Sequence, residues 1–515
     1  MKTLHIRSRP ALATRFFSGW FVSLALAAVL LAGSAWSEAR SVILLIGDGM
    51  GPAAVKAASI KLKGADGKLV MQGLPVYGTL CTTSFGGEVT DSAAAATALA
   101  TGYKTKNGMI GMTPDGSLVR SIVESCRDFK KSTGIVVTSS VTDATPAGFA
   151  AHASSRGMQY DIAEQMLACR VNVILGGGKS SFLERHGEAW VGVDFVDAKG
   201  MKLASATDRI RWTADQETEH GLVAPPGTAK ASIWIWRDNG GVDALFDDVR
   251  FEPKEAKPRA GIPNLVVNGD FENGGTGGWN VWDDCSVTRE GSSLALRVAS
   301  GGGLDQAVAA EPGVEYTFTY RSHIVDPYAG SAEKRTAWDG AGKAGYLRIE
   351  KKAELAKAKG QYVLGLFAPG ALENTPAEPT LAEMTAKSID LLKANPSGFF
   401  LMVEGSQIDW GVHGNDLEDF SRQIGRFDEA VKIAVAYAKK KGDVLVIVTA
   451  DHETAGVSVE GKNAKDLKVT FAGKDHTDRV VPVFAYGPGS KSFEGPHDNT
   501  DVRKLITKAL GLLFD

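Results

Sequence analysis

The sequence predicts an α/β protein: a mostly parallel central sheet flanked by helices, with an all-β domain inserted into it. Three observations lead there. Short apolar, β-branched runs such as 41–46, 398–403 and 444–449 read as strands buried on both faces, the habit of parallel sheets. Segments with helical periodicity, 121–131, 380–394 and 417–441 among them, alternate with those runs. Between 194 and 335 that periodicity stops, and runs such as 231–236, 293–298 and 315–320 alternate between faces, separated by glycine-rich turns.

At 515 residues and 44% hydrophobic content the chain has room for two or more domains. Residues 1–37 read as an export signal: Lys2, Arg7, Arg9 and Arg15 precede an apolar run, 16–31, and small residues lead to a cleavage site after Ser37. An uncleaved anchor is the alternative. Either way the folded part works in the periplasm or outside the cell. A net charge of -3 without a long basic block excludes a general nucleic-acid binder. Cys81, Cys126, Cys169 and Cys285 could pair in an oxidising compartment, in any of three ways; none forms a C-x-x-C unit, which argues against thiolate-bound zinc.

Taken in order, the strand at 41–46 runs into D-G-M-G (48–51), placing Asp48 where open α/β sheets keep their chemistry. A dinucleotide turn is excluded there, because Pro52 stands where the third glycine belongs. Next, Thr90, Asp91 and Ser92 open an alanine-rich run of high helix propensity. Such a helix start favours an alkoxide or a phosphate beside it, although capping alone would also explain those three residues. The strand at 134–140 leads to Asp143 and Thr145, and the segment after it, carrying His152 and Arg156, reads as helix. Another strand, 171–175, runs into G-G-G-K-S, which fails as a P-loop because Val173 replaces its first glycine.

The host sequence thus divides into 38–193 and 336–515 around the insert, 194–335. Within the insert, 244–251 resembles the last strand of jelly-roll carbohydrate-binding modules and 264–272 their first. That order suggests a circularly permuted module, or fragments of two modules, joined through 254–263. Trp279 and Trp282 could stack on a polysaccharide or pack in the core; both readings stand.

Beyond the insert, strand 398–403 ends in Glu404, followed by Asp409, Trp410 and His413; strand 444–449 ends in Asp451 and His452; His476 precedes the strand at 480–486. Aspartate and histidine recurring at strand ends offer the oxygen and imidazole ligands that zinc accepts. Glu404, Asp48 and Thr145 offer oxygen alone, which suits magnesium.

Six motifs, D-G-M-G, V-T-D-S-A-A-A-A-T-A, D-A-T-P-A with H-A-S-S-R, V-E-G-S-Q-I-D-W-G-V-H, T-A-D-H-E-T and D-H-T, resemble the alkaline phosphatase family in the same order. The resemblance implies a metal-dependent phosphomonoesterase with an alkaline-phosphatase-like sheet, acting on small phosphate monoesters. It implies Ser92 as the nucleophile, forming a phosphoserine, and Arg156 as a clamp on the phosphate. It also implies two zinc ions, one held by Asp409, His413 and His476, the other by Asp48, Asp451, His452 and transiently Ser92. One magnesium would take Asp48, Thr145 and Glu404, with Asp143 acting through water. A homodimer is the family's habit, which an insert of this size could block or remodel. Trp410 departs from the lysine of the best-known enterobacterial relative, where that residue approaches the phosphate through water. Two other functions remain: a phosphodiesterase of the same superfamily, and a glycan-binding protein with a vestigial enzyme domain. A sulfatase is disfavoured, since no cysteine begins C-x-P-x-R.

Overall fold

A computed structural model describes residues 39–183, 189–210, 216–237, 243–254, 264–282, 285–290, 293–298, 302–324 and 336–512. The export signal expected at 1–37 and most of the joint expected at 254–263 lie outside the described residues. Among the described residues, no helix is long and apolar enough to cross a membrane.

Ten strands form the central sheet, in the order Leu347–Ile349, Val363–Leu366, Val173–Gly177, Ser132–Ser140, Phe399–Gly405, Ser41–Gly47, Val444–Thr449, Val481–Tyr486, Val76–Cys81 and Gly495–Asp498. The first seven run parallel, and Val481–Tyr486 is antiparallel to both its neighbours. Every residue of Ser41–Gly47 is buried, as its unbroken apolar run requires of a strand with helices over both faces. Its register sets Ile46 opposite Glu404 on one side and Thr449 on the other, so three neighbouring strands end together.

The longest helix, Leu417–Lys441, shows why such segments form where they do. Asp416 caps its start by accepting from the Asp419 amide at 3.0 Å, three lysines fill the last turn, and Gly442 closes it at φ 80°. Phe420, Ile424, Phe427, Val431 and Ala434 make one buried stripe against the sheet. Replacing Phe427 with alanine would cost about 3–5 kcal/mol through the cavity left behind.

Between the turn at Lys179–Phe182 and the helix at Ala337–Lys343 the chain builds two five-stranded antiparallel sheets. Val191, Val193, Phe195, Ile233, Ile235, Phe246, Phe251 and Phe318 face one another between them, forming a hydrophobic core separate from the host's. The first of these strands, Ala189–Val196, begins upstream of 194. Lys179 lies 5.7 Å from the ring of Trp338, so the chain leaves the host and re-enters it at one place.

One sequence expectation changes here, and one open alternative is decided. The stretch 264–272 forms turns, with Asn268 and Phe271 at positive φ, rather than a first strand. Its polar groups explain this: the Asn264 side chain accepts from the Phe251 and Val266 amides and donates to the Val249 carbonyl, pinning the chain as a turn beside a strand edge. Trp279 is 7% exposed and stacks on Phe271 at 6.0 Å, so it belongs to the core, while Trp282 is 39% exposed. Among the described residues, no disulfide joins the four cysteines.

Candidate active site

The carboxyl ends of Ser132–Ser140, Phe399–Gly405, Ser41–Gly47 and Val444–Thr449, four consecutive parallel strands, carry Asp143, Glu404, Asp48 and Asp451. This is the end at which open α/β sheets bind ligands. Gly49, at φ 65°, lets the backbone pass so close to Asp409 and Thr454 that a Cβ there would fall 2.4 Å from Asp409 Oδ1. Its amide donates to Asp451 Oδ1 at 3.1 Å, and the His452 amide donates to the same oxygen at 3.0 Å.

Donor atoms converge in two groups. Those of Asp409, His413 and His476 lie within 4.8 Å of one another, and so do those of Asp48, Asp409 and His452. Asp409 therefore stands between the groups. In the first, His413 Nε2 and His476 Nε2 face each other at 3.1 Å, while the remaining ring nitrogens are held by backbone carbonyls: Nδ1 of His413 by Lys474, and Nδ1 of His476 by Thr90 at 2.9 Å. Fixing Nδ1 in this way aims each Nε2 lone pair at the same point, as a metal-binding imidazole needs. His476 also stacks on His452 at 3.6 Å. Near the second group, His452 Nε2 lies 3.3 Å from Asp451 Oδ2 and 3.5 Å from Asp48 Oδ1.

Asp48 Oδ1, Asp451 Oδ2 and Glu404 Oε2 are buried without a hydrogen-bond partner among the described residues. Leaving a carboxylate oxygen so placed is costly, and several together repel one another. Burial, then the charges of Asp451, Asp409 and Glu404, push the Asp48 carboxyl well above its usual range. Burial, then Asp143 and Asp451, push Glu404 well above its own, against hydrogen bonds from Ser406 and Thr145. Burial works on Asp409 the same way, but hydrogen bonding from His413, the nearby His452 and the Thr454 hydroxyl hold it down to about 2. Orphaned oxygens beside converging imidazoles are a donor set that divalent cations fit.

Ser92 is the first residue of the helix Ser92–Thr101, and its Oγ lies 3.3 Å from His452 Nε2. Asp91 caps that helix, accepting from the Ala94 amide at 2.9 Å. Its other oxygen accepts from the Gly108 amide at 3.0 Å and from Arg156 Nη1 at 3.3 Å. Arg156 Nη2 donates to Asp143 Oδ1 at 3.1 Å, and Asp143 in turn caps the helix Ala144–Ala150. The guanidinium is thus held between two caps, close to the serine.

The helix expected around His152 and Arg156 is absent. The helix ends at Ala150, and Ala153 instead bridges Ile110, while the Arg156 amide donates to the Gly108 carbonyl at 2.7 Å. Backbone pairing with 108–110 outweighs helix propensity in a stretch whose Ser-Ser-Arg-Gly favours a turn. Trp410 sits on the helix Gln407–His413, between Asp409 and His413 in sequence, with 47% exposure.

Three contributors had only a motif position in the sequence. Asp91, expected as a cap, also anchors Arg156. Thr454 donates to Asp409 Oδ1 at 2.5 Å. Glu453 accepts from the Gly456 and Val457 amides and from the Thr477 hydroxyl, tying the short strand Glu453–Thr454, which follows His452, to the strand His476–Thr477. The polar residues inside T-D-S and T-A-D-H-E-T were the available signal, but their partners lie far away in sequence.

In comparisons with known proteins, the chain matches the family model described as alkaline phosphatase over residues 39–201 and 295–474. The unmatched stretch between those ranges falls inside the inserted sheets. The chain is similar to alkaline phosphatase 4 of Bacillus subtilis, 27% identical over 92% of this chain and 89% of the relative. It is 28% identical to the alkaline phosphatase of Escherichia coli, over 92% of this chain and 86% of that one. It is also 28% identical to the streptomycin-6-phosphate phosphatase of Streptomyces griseus, over 92% and 91%. Among solved structures, the alkaline phosphatase from the Antarctic bacterium TAB5 shares the fold at a TM-score of 0.58 and 24% identity, over 92% of this chain and 98% of that one.

Proposed function

Because this chain belongs to the alkaline phosphatase family and is a metal-dependent phosphomonoesterase, we propose that Ser92 is its nucleophile and that hydrolysis passes through a phosphoserine. The observation that carries this is Ser92 Oγ at a helix start, 3.3 Å from His452 within a cluster of orphaned carboxylate oxygens, with Arg156 tethered beside it. Asp409, His413 and His476 would hold one zinc; Asp48, Asp451 and His452 would hold the second, which Asp409 also borders. Asp48, Thr145, Glu404 and, through water, Asp143 would serve magnesium. Bound there, the cations supply a deprotonated serine and neutralise charge on the entering and leaving oxygens.

The chain's own groups do the remaining work. The exposed N–H groups at the start of Ser92–Thr101 favour negative charge at Ser92 and at a phosphoryl group carried on it. Arg156 offers two N–H donors to the equatorial oxygens, and these bonds strengthen as charge accumulates in the transition state. Asp91 and Asp143 fix the plane of the guanidinium in advance, so little is lost in ordering it on binding. Trp410, exposed on the helix of Asp409 and His413, would border the leaving group with an apolar ring.

The test is hydrolysis of p-nitrophenyl phosphate before and after chelation, with bis-p-nitrophenyl phosphate as the diester control. Activity that survives complete chelation, or a Ser92→Ala variant that still accumulates covalent phosphate, would overturn the assignment. On the same reading residues 1–37 direct export, to be checked by the N-terminus of the secreted protein. The insert, a sandwich with its own core, is read as docking the enzyme on a polysaccharide.

A further inference from the structure

The insert's two sheets differ on their solvent sides. In the sheet ordered Asn280–Trp282, Gly303–Ala309, Lys230–Arg237, Ala189–Val196 and Lys202–Ile210, cross-strand register lines up Trp282, Gly303, Trp236, Trp190 and Arg209 in one row. Residues directly opposite one another share a face. Ile235, Val191, Leu304 and Ile210, each one position from Trp236, Trp190, Gly303 and Arg209, are buried in the core, so this row lies on the outer face.

The indole of Trp282 lies over Gly303, filling the space a Cβ would take at 2.5 Å. Trp190 and Trp236 stack at 4.7 Å, and the Arg209 guanidinium sits 5.7 Å from the Trp190 ring. Trp236 and Trp282 remain 38% and 39% exposed. Across three strand spacings of about 4.8 Å the row offers roughly 14 Å of aromatic surface. In the next row on the same face, Asn280, Asp305 and Thr207 are polar, while the Trp234 ring lies over Gly192 between them. Asn280 donates to Asp305 at 3.5 Å.

From this we infer that Trp236 and Trp282 form the binding platform of the insert for a neutral polysaccharide chain. The inference rests on the polysaccharide reading above and names the face that would carry it. Exposed indoles suit the C–H faces of sugar rings, and the amide of Asn280, the carboxylate of Asp305 and the hydroxyl of Thr207 in the neighbouring row suit their hydroxyls. The mixed charge of this face does not suit a polyanion such as nucleic acid: the exposed Lys230 is offset by Asp305, Lys202 is paired with Asp194 at 2.6 Å, and Arg209 sits against Trp190. Trp279, in the core, takes no part.

The experiment is a pull-down of the full-length enzyme on microcrystalline cellulose, chitin and insoluble mannan, with affinity electrophoresis in soluble β-glucan. Wild type and the Trp236→Ala, Trp282→Ala, double Ala and double Phe variants would be compared, along with sedimentation of each. On at least one polymer, each single alanine change is expected to weaken binding about tenfold and the double change to abolish it, with the phenylalanine pair retaining most of it. Hydrolysis of p-nitrophenyl phosphate should be unchanged throughout. Intrinsic fluorescence of the wild type should shift on adding soluble glucan, a readout independent of how the alanine variants fold. A wild type that binds none of the polymers overturns the polysaccharide reading itself. Binding that survives the double alanine change overturns the platform alone. Self-association lost on mutating the two tryptophans would make a second copy of the chain the occupant and overturn the proposal.

Discussion

Asp451 and His452 have side chains wholly closed to solvent, whereas His413, across Asp409 from them, keeps 36% of its side chain exposed. On the inner side, Asp48, Asp451 and Glu404 each leave an oxygen unpartnered; on the outer side, Asp409 bonds Thr454 and His413, and both imidazoles have backbone partners. The contrast teaches that the two halves depend on cations differently. The outer half is satisfied by its own hydrogen bonds and can give up an ion at little cost. The inner half packs carboxylates that a bound cation or protonation must reconcile, so on the proposed reading cation occupancy there would add to the fold's stability.

The largest expected effect isolates chemistry from both halves. Ser92→Ala should lower kcat on the order of 10⁴-fold or more while elemental analysis finds wild-type metal content; lost metal would mean the serine is structural to the inner half. Graded chelation comes next. Activity should fall in two steps, with the outer ion leaving first and without loss of melting temperature, and the inner ions leaving later with a fall in melting temperature. One step with simultaneous melting would break the comparison.

Arg156→Lys keeps the charge but loses the fork between Asp91 and Asp143, and kcat/KM should drop about 10- to 100-fold with metal content intact. Glu404→Gln sharpens the contrast further. Removing a buried orphan charge should leave the metal-free protein as stable as wild type or more so, while shrinking the gain in melting temperature on adding magnesium. A metal-free variant that melts well below wild type would show that Glu404 needs no cation.

The smallest effect lies outside both halves, in the ion pair that steadies the Arg156 loop. His152 Nε2 lies 3.2 Å from Glu124, which raises the imidazole's pKa; burial alone would raise Glu124, but His152 and the Ser121 amide bring it down to about 2. The histidine's contribution is full below its unfolded value of about 6.5 and fades as pH rises through its raised folded value. The glutamate's contribution is present above 4.5 and lost only as pH falls toward about 2. His152→Gln should therefore lower the melting temperature more at pH 5.5 than at pH 9; an equal loss at both would reduce the pair to packing.

Much of this was legible beforehand. The strands at 41–47 and 444–449 announce themselves by unbroken apolar runs, and the aspartates that end them follow from where parallel sheets place their chemistry. Types of ligand could be read as well, because paired Asp and His at strand ends have few other uses. What escaped depended on contacts beyond local reach, from 24 residues apart to hundreds: the bridging place of Asp409, the tether of Arg156 to Asp91, and Glu453 tying two short strands together. Local propensity also misjudged 151–158, where pairing with 108–110 outweighs the helix signal.

The sequence by itself determined the α/β class, the strand-end carboxylates, the serine at its helix start, and which insert residues alternate from face to face. Only the tertiary structure decided that Trp190, Trp236 and Trp282 share one open face while Trp279 lies inside. Alternation along a strand fixes which residues face the same way. Strand order and the packing of one sheet on another decide which residues become neighbours and which side water can reach.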